Sequence, residues 1–436
     1  MNQGIPDRLP GVMMDESVHH ISPLCDVQIR LAVFAEGRFD PSLLQRAIRL
    51  SLDAEPVLGC RFAPGWWRAH WERLPDLDER GLLRIEESED TERALHRCLA
   101  ETHDTTRGPQ VAATLIRGES DVLCLSVCHT AADAGGTKEV GYLVADLYKR
   151  LQADPDFRLE PNLVGSRSMK QISARFGALG HLSMVRRAFR DMRDSFFPMA
   201  SWTFPAAPAP DEGRTCAMRH IEGDRFAAVR DWARARSATL NDVIQAALMR
   251  AAHDLIRPGP GLPLRIGATA DLRRYLPGER GGAICNLSGF VFPNIGTELG
   301  QDMDATCGKV REVMARLKDD CIGLGIYPSV TPLNKLLPLA WRGRITGKFM
   351  DMIINGSNLP PIITNMGPID EARLDFGSVG VRRAYLFPPF GLPPAFLCGL
   401  SGFGESLTLS SGYCASSVDP QVAEGFLDRI LVELPG

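Results

Sequence analysis

The 436-residue chain is short of several things, and each shortage closes off a class of protein. It has no basic surplus: 49 Lys and Arg stand against 53 Asp and Glu, a formal net charge of −4. That argues against a nucleic-acid binder, whose phosphate contacts call for a basic face. No run approaches 18 apolar residues, so nothing reads as a transmembrane segment. The N-terminus, MNQGIPDRLPGVMMDES, lacks a basic start followed by an apolar core, and no signal peptide is expected. None of the eleven cysteines forms a C-x-x-C pair, and the count is odd. Zinc-site spacing is therefore absent. Most of the cysteines sit among apolar neighbours and read as buried free thiols in a reducing compartment, which makes the cytoplasm the expected location. No short tandem repeat appears.

What is present is a globular composition, 44% hydrophobic and 23% charged, long enough for two domains of ordinary size. DVQIRLAVFAEGRFD alternates at Val27, Ile29, Leu31 and Val33, which is strand period. Asp40 and Pro41 then open a helix with its stripe at Leu44, Ala47 and Ile48. Val57–Phe62 reads as a strand and Thr91–Thr102 as a helix; QVAATLIRG and DVLCLSVC read as a hairpin. From about 152 to 215 the texture turns polar and Pro-rich around a basic amphipathic segment, MVRRAFRDMRDSFF. Its Arg186, Arg187, Arg190 and Arg193 read as a solvated helix face, with partner docking as the alternative. The second half repeats the mixture. Thr239 and Asp242 are placed to cap a long helix from Leu240, and four strand-like stretches precede a closing helix, PQVAEGFLDRILVEL. The class is α/β or α+β. Its expected parts are a domain over 1–165, a helix-bearing linker over 166–215 and a second domain over 216–436.

One stretch carries chemistry. LSVCHTAADAGGTKEVGYLVADLY runs from an apolar strand into His129, reaches Asp133, and passes small residues into a helix. Histidine moves its proton near neutral pH. Ala134, Gly135 and Gly136 leave room for a substrate to approach the backbone. The helix N-terminus behind them offers unpaired N–H groups suited to a developing oxyanion, with Ala134 and Gly135 as the candidates. Such a set fits acyl transfer, in which a base deprotonates an attacking hydroxyl or amine. Cys128 is an alternative nucleophile, but neighbours on a strand face opposite ways. His19 and His20 have no acidic partner or glycine turn after them and read as structural. His129 and Asp133 alone are too few ligands for a metal, and no metal site is expected.

The stretch resembles the His-His-x-x-x-Asp-Gly motif of the condensation-domain and chloramphenicol-acetyltransferase-like acyltransferases. Here it reads Cys128-His129-Thr130-Ala131-Ala132-Asp133-Ala134, so Cys128 replaces the first histidine and Ala134 the glycine. TLNDVIQAALMRA resembles the Asn-Asp helix of the wax-ester-synthase-like branch, matched by Asn241 and Asp242. ATADLRR resembles a strand-end Asp-Leu-Arg element, and ITNMGPID a Ser/Thr-Asn-x-Gly turn matched by Asn365 and Gly367. Read locally, TLND is a helix cap and TNMG a β-turn.

The resemblance implies two chloramphenicol-acetyltransferase-like sandwich domains forming a pseudo-dimer, with a tunnel between them and His129 near its middle. It implies transfer of an acyl group from a thioester to a hydroxyl or amine, with His129 as general base. It makes Asp133 structural, paired with Arg273, or with Arg274 as the near alternative. Read without it, Asp133 could instead orient the imidazole. No bound cofactor is expected; the acyl donor is an acyl-coenzyme A or a phosphopantetheinyl carrier protein, and the partners are that carrier and a small-molecule acceptor. A monomer is expected. Two alternatives stand beside transfer: a non-catalytic module that binds a carrier protein or recruits a partner enzyme, and isomerisation or cyclisation on the same scaffold.

Overall fold

The structure is a computed structural model that describes residues 4–196, 202–319, 321–325, 327, 331, 334–355, 359–393 and 395–436. From the N-terminus the elements are β1 (Arg8–Pro10), α1 (Met13–His20), β2 (Gln28–Ala35), α2 (Pro41–Ala54), β3 (Cys60–Ala63), β4 (His70–Arg73), β5 (Leu83–Glu87), α3 (Thr91–Ala100), β6 (Val111–Arg117), β7 (Asp121–Cys128) and α4 (Ala134–Ala153). Two helices follow, α5 (Lys170–Ser173) and α6 (Ala178–Phe196). The rest of the chain forms β8 (Arg214–Glu222), α7 (Gly223–Ala235), α8 (Leu240–Ile256), β9 (Gly267–Asp271), β10 (Ser288–Val291), α9 (Met303–Asp319), α10 (Leu339–Asn355), β11 (Ile362–Ile369), β12 (Val381–Phe387), β13 (Leu397–Phe403), β14 (Ser406–Cys414) and α11 (Pro420–Glu433).

Two mixed sheets organise these elements. One runs β12-β2-β7-β6-β5, the other β10-β9-β11-β13-β14-β8, and a small third sheet runs β1-β4-β3. In the first sheet only β5 and β6 are parallel; in the second, β11 is parallel to both β9 and β13. Although β12 follows residue 216, it pairs with β2 in the first sheet.

Strand β2 shows how the core is built. Ile29, Leu31, Val33 and Ala35 face a cluster that includes Leu44, Ile48, Val140 and Val144 of α2 and α4. Ala32 and Phe34 face another, with Leu95 and Leu99 of α3. Both faces are covered, so the alternation divides two apolar clusters instead of separating core from solvent, and all eight residues are buried. The second half has its own core, in which Val243, Ala247, Phe426 and Ile430 of α8 and α11 join Leu400 and Leu409 of β13 and β14. Arg30 is fully buried in β2, where Asp26 accepts from its Nη2 at 2.5 Å.

Local chemistry sets several boundaries as expected. Asp40 Oδ1 accepts from the Ser42 and Leu43 amides at 2.8 and 3.1 Å at the start of α2. Thr239 and Asp242 cap α8 reciprocally. Other expectations need correction. Val57–Phe62 is not one strand: Pro56–Gly59 is a 3₁₀ turn, and only Cys60 onward extends. Val27 lies outside β2, in the left-handed region at φ 47. Helix α3 ends at Ala100, two residues early. The basic helix exists as α6, but Arg187 is 3% exposed and not solvated. It shares the inward face with Met184 and Ala188, three residues before it and one after. The side chain of Arg193 lies outside the described residues. Among the described residues no helix is long and apolar enough to cross a membrane.

Candidate active site

The stretch around His129 is a strand, a tight turn and a helix. The His129 amide donates to Val27 O at 2.7 Å, one rung beyond β7. The Ala131 and Ala132 amides then both turn back onto Cys128 O, at 3.0 and 3.1 Å. Asp133 is the N-cap of α4: its carboxylate accepts from the Gly136 amide at 2.8 Å, and its carbonyl from the Thr137 amide at 2.7 Å. These bonds leave Ala134 and Gly135 as the remaining amides of the first turn.

Asp133 is 2% exposed, and its carboxylate lies in a clamp made by the second half. Arg273 grips it in a fork, Nη1 to Oδ2 at 2.9 Å and Nη2 to Oδ1 at 2.8 Å. The Leu287 amide adds a bond to Oδ2 at 2.6 Å. Burial alone would push this carboxyl up. The charge of Arg273 and the bonds from Arg273, Gly136 and Leu287 outweigh it and hold the pKa below the usual range. In turn the pair raises Arg273, against its own burial. Arg273 sits in a 3₁₀ turn, Leu272–Tyr275, directly after β9; its neighbour Arg274 is exposed. The four bonds to this carboxylate come from Arg273, Gly136 and Leu287, and none from the imidazole.

The glycines have a different task from the one expected. A Cβ on Gly135 would lie 2.5 Å from Nη1 of Arg273, and one on Gly136 would lie 3.0 Å from Cys285 O. The space beside Gly135 is filled by the Arg273 guanidinium, and that beside Gly136 by Ala132 and the Cys285 carbonyl.

The orienting group is Asn286, which sequence reasoning missed. Its Nδ2 donates to Thr130 O at 2.9 Å, which turns Oδ1 toward Nδ1 of His129 at 3.1 Å. A carbonyl oxygen only accepts, so Nδ1 carries a proton, and in the neutral ring Nε2 is the nitrogen with the lone pair. Asn286 is 1% exposed, while His129 is only partly buried. The signal was present in AICNLSGFVF: an asparagine inside an apolar stretch must find partners if it is buried.

A second clamp was also missed. Arg167 holds Asp15 of α1 with two bonds of 2.9 Å, and Trp71 Nε1 donates to the same carboxylate at 2.8 Å. Arg167 also donates to Ala131 O at 3.1 Å and Ile284 O at 3.0 Å. It therefore ties the backbone two residues after His129 to the backbone two residues before Asn286.

Among the described residues, the remaining candidates make no hydrogen bond to the imidazole. Cys128 is 1% exposed, and burial raises its thiol pKa, which opposes a nucleophilic role. All eleven cysteines are free. Asn365 and Asn241 do meet, Nδ2 to Oδ1 at 2.9 Å. The TNMG segment is an irregularity inside β11, not a turn that ends a strand: the register shifts between Asn365 and Pro368, with Gly367 at φ 72. Asp242 accepts from Thr239 N at 2.8 Å as a helix cap. Lys138 of α4 links this region to the first half by a 3.0 Å bond to Pro368 O. Among the described residues no group of three His, Cys, Asp or Glu could hold a metal ion. Surface cavities of about 300 and 340 Å³ are lined by Arg61, Glu72 and Arg73 and by Arg236, Asp302 and Asp304; His129 lines neither.

This architecture matches the fold of solved condensation domains and of an O-acetyltransferase. The first condensation domain of the calcium-dependent antibiotic synthetase, in complex with a substrate analogue, matches with a TM-score of 0.71 at 15% identity, over 98% of this chain and 96% of that one. Trichothecene 15-O-acetyltransferase from Fusarium sporotrichioides matches with a TM-score of 0.71 at 10% identity, over 98% and 96%. The starter condensation domain of rhizomide synthetase, in complex with C8-CoA and Leu-SNAC, matches with a TM-score of 0.65 at 13% identity, over 98% and 93%. No protein-family model matches the sequence. No curated protein matches it either.

Proposed function

We propose that this chain is an acyltransferase of the condensation type. It moves an acyl group from a thioester, on coenzyme A or a carrier protein, to a hydroxyl or amine of a small-molecule acceptor. The observation that carries this reading is the contact between His129 and Asn286. It supports a neutral tautomer with the proton on Nδ1 and Nε2 left to act as base, on a residue that is only partly buried. The complex of the rhizomide synthetase domain with C8-CoA supports a thioester donor.

In the proposed reaction Nε2 of His129 takes the proton of the acceptor O–H or N–H as that atom attacks the thioester carbonyl. The new C–O or C–N bond gives a tetrahedral oxyanion, steadied by the Ala134 and Gly135 amides. Collapse breaks the C–S bond, and Nε2 returns its proton to the departing sulfur. Asp133 and Arg273 touch no substrate; they hold the His129 turn against the second half. The donor and acceptor meet in a tunnel between the halves.

The test incubates the purified protein with acyl-coenzyme A and acyl-carrier donors and a set of alcohols and amines, read by mass spectrometry. His129→Ala is expected to lower turnover by about 10²–10⁴-fold while leaving the fold intact. Near-wild-type product formation by His129→Ala overturns the assignment. Tight carrier-protein binding with no acyl product from any donor supports a recruiting module in its place.

A further inference from the structure

The apolar side chains left exposed are not scattered. Trp66, Trp67, Leu336, Trp341, Ile345 and Met352 are all exposed, from 45% for Met352 to 73% for Leu336. Direct bonds bring them together: the Leu339 amide donates to Trp66 O at 3.1 Å, and Arg342 to Trp67 O at 3.3 Å. Three of the chain's six tryptophans thus stand at one place on its surface. Tryptophan has too much apolar area to be left in water without a use.

Helix α10 is fixed with one face inward. Leu339 is buried, and Arg342 Nη1 donates to the buried carboxylate of Glu16 in α1 at 2.7 Å. The opposite face presents Trp341, Arg344, Ile345, Lys348 and Met352, at helical spacing and all exposed. Arg68 lies over the Trp67 ring at 5.8 Å, and Lys335 is exposed beside Leu336. The patch therefore carries four cations against one exposed acid of α10, Asp351, on a protein whose net charge is −4. Helix α6, which also packs near α1, repeats the pattern. Leu179, Leu182, Val185 and Phe189 are exposed beside Arg186, while Met184 packs in a cluster with Met13 and Met14.

We propose that this face docks on an anionic lipid surface, with α10 lying in the interface and its tryptophans at headgroup depth. The proposal goes beyond acyl transfer and stands without it. Amphipathic helices with Trp, Phe and Leu on one side and Lys or Arg beside them bind in this way. Charge weighs against a second copy of the chain: a two-fold dimer would set the four cations against themselves. The shape favours a plane, because the side chains stand out on a helix and a loop, whereas tryptophans at protein interfaces fill pockets.

The test mixes the full chain with phosphatidylcholine vesicles, with and without phosphatidylglycerol, and follows sedimentation and tryptophan emission. Binding to the phosphatidylglycerol vesicles is expected, with a blue shift and a steep loss on adding salt. Trp341→Ser and Ile345→Ser should each weaken it roughly tenfold or more, by removing apolar area that the bilayer buries. Arg344→Gln and Lys348→Gln should each weaken it about fivefold. These side chains are exposed, so unchanged thermal unfolding of the variants confirms that the fold is kept. No binding to phosphatidylglycerol vesicles at low salt overturns the proposal. So does binding that the variants leave unchanged. Self-association, or capture of an acidic carrier protein, that depends on Trp341 in place of vesicle binding assigns the face to a protein and also overturns it.

Discussion

Removing Arg273 should do more damage than its exposure suggests. The Asp133 carboxylate accepts four bonds, two from Arg273 and one each from the Gly136 and Leu287 amides. Arg273→Ala leaves a buried carboxylate with two amide donors and without its paired cation. Stranding one partner of a buried pair costs about 3–5 kcal/mol. The amides soften this and the cavity adds to it, so the middle of that range is expected. Asp133→Ala leaves the guanidinium with Asp271, whose Oδ1 accepts from Nη1 at 3.2 Å, so it should cost less than Arg273→Ala. The double variant strands neither charge, and its cost should fall short of the sum of the singles by about 2–3 kcal/mol.

The assay is urea unfolding followed by tryptophan emission, with Trp71 buried in the first core and Trp202 in the second. The two residues of the pair are 140 positions apart and belong to different halves, so their loss should also split the transition. The pH dependence has a defined sign. In the native chain Asp133 is held below its ordinary pKa, so its contribution is full above about pH 4 and fades as the pH falls through the folded value. In Arg273→Ala the lowering charge is gone and burial dominates, so Asp133 takes up its proton at higher pH. The penalty of the variant should therefore be largest at pH 7 and shrink on acidification. A cost below about 1 kcal/mol, simple additivity of the singles, or a penalty that grows in acid refutes the reasoning.

Gly135→Ala should be destabilising by about 1–3 kcal/mol, because its Cβ would meet the guanidinium, and most of that cost should vanish in an Arg273→Ala background. Asn286→Ala should slow acyl transfer while leaving donor KM little changed, and Asn286→Gln should not rescue it if Oδ1 sets the tautomer; equal loss of kcat and binding would point to collapse of the loop instead. Burial, with Arg30 nearby, lowers His103 to about 4, and burial, with His19 and Arg342 nearby, lowers His20 to about 4. Unfolded, both titrate near about 6.5, so their share of stability is full above that value and is lost as the pH falls toward 4; His103→Gln should flatten this part of the thermal-unfolding profile.

The legible parts of the sequence were those governed by neighbours in the chain. The Asp40 cap, the Thr239–Asp242 box and the hairpin of β6 and β7 each need only a few adjacent residues to form. The turn around His129 belongs with them, since its bonds to Cys128 O and the cap by Asp133 all close within four residues or fewer. What stayed hidden was set by distance in sequence. Nothing local says that β12 pairs with β2, or that Asp15 meets Arg167, 152 residues on.

Asn286 shows why the site itself was only half readable. Its side chain reads as one polar residue in an apolar strand until Thr130, 156 positions earlier, fixes which way the amide points. Only then does His129 acquire a defined tautomer. The local motif supplies the imidazole and the turn that presents it. The second half supplies, through Asn286, the acceptor that holds the proton on Nδ1, and through Arg273 the charge that anchors the turn. A fragment ending at residue 165 would keep every residue of the motif and lose both. It should therefore lack acyl transfer even if it retained the β6–β7 hairpin, and transfer by that fragment would show that the tautomer is set within the first half alone.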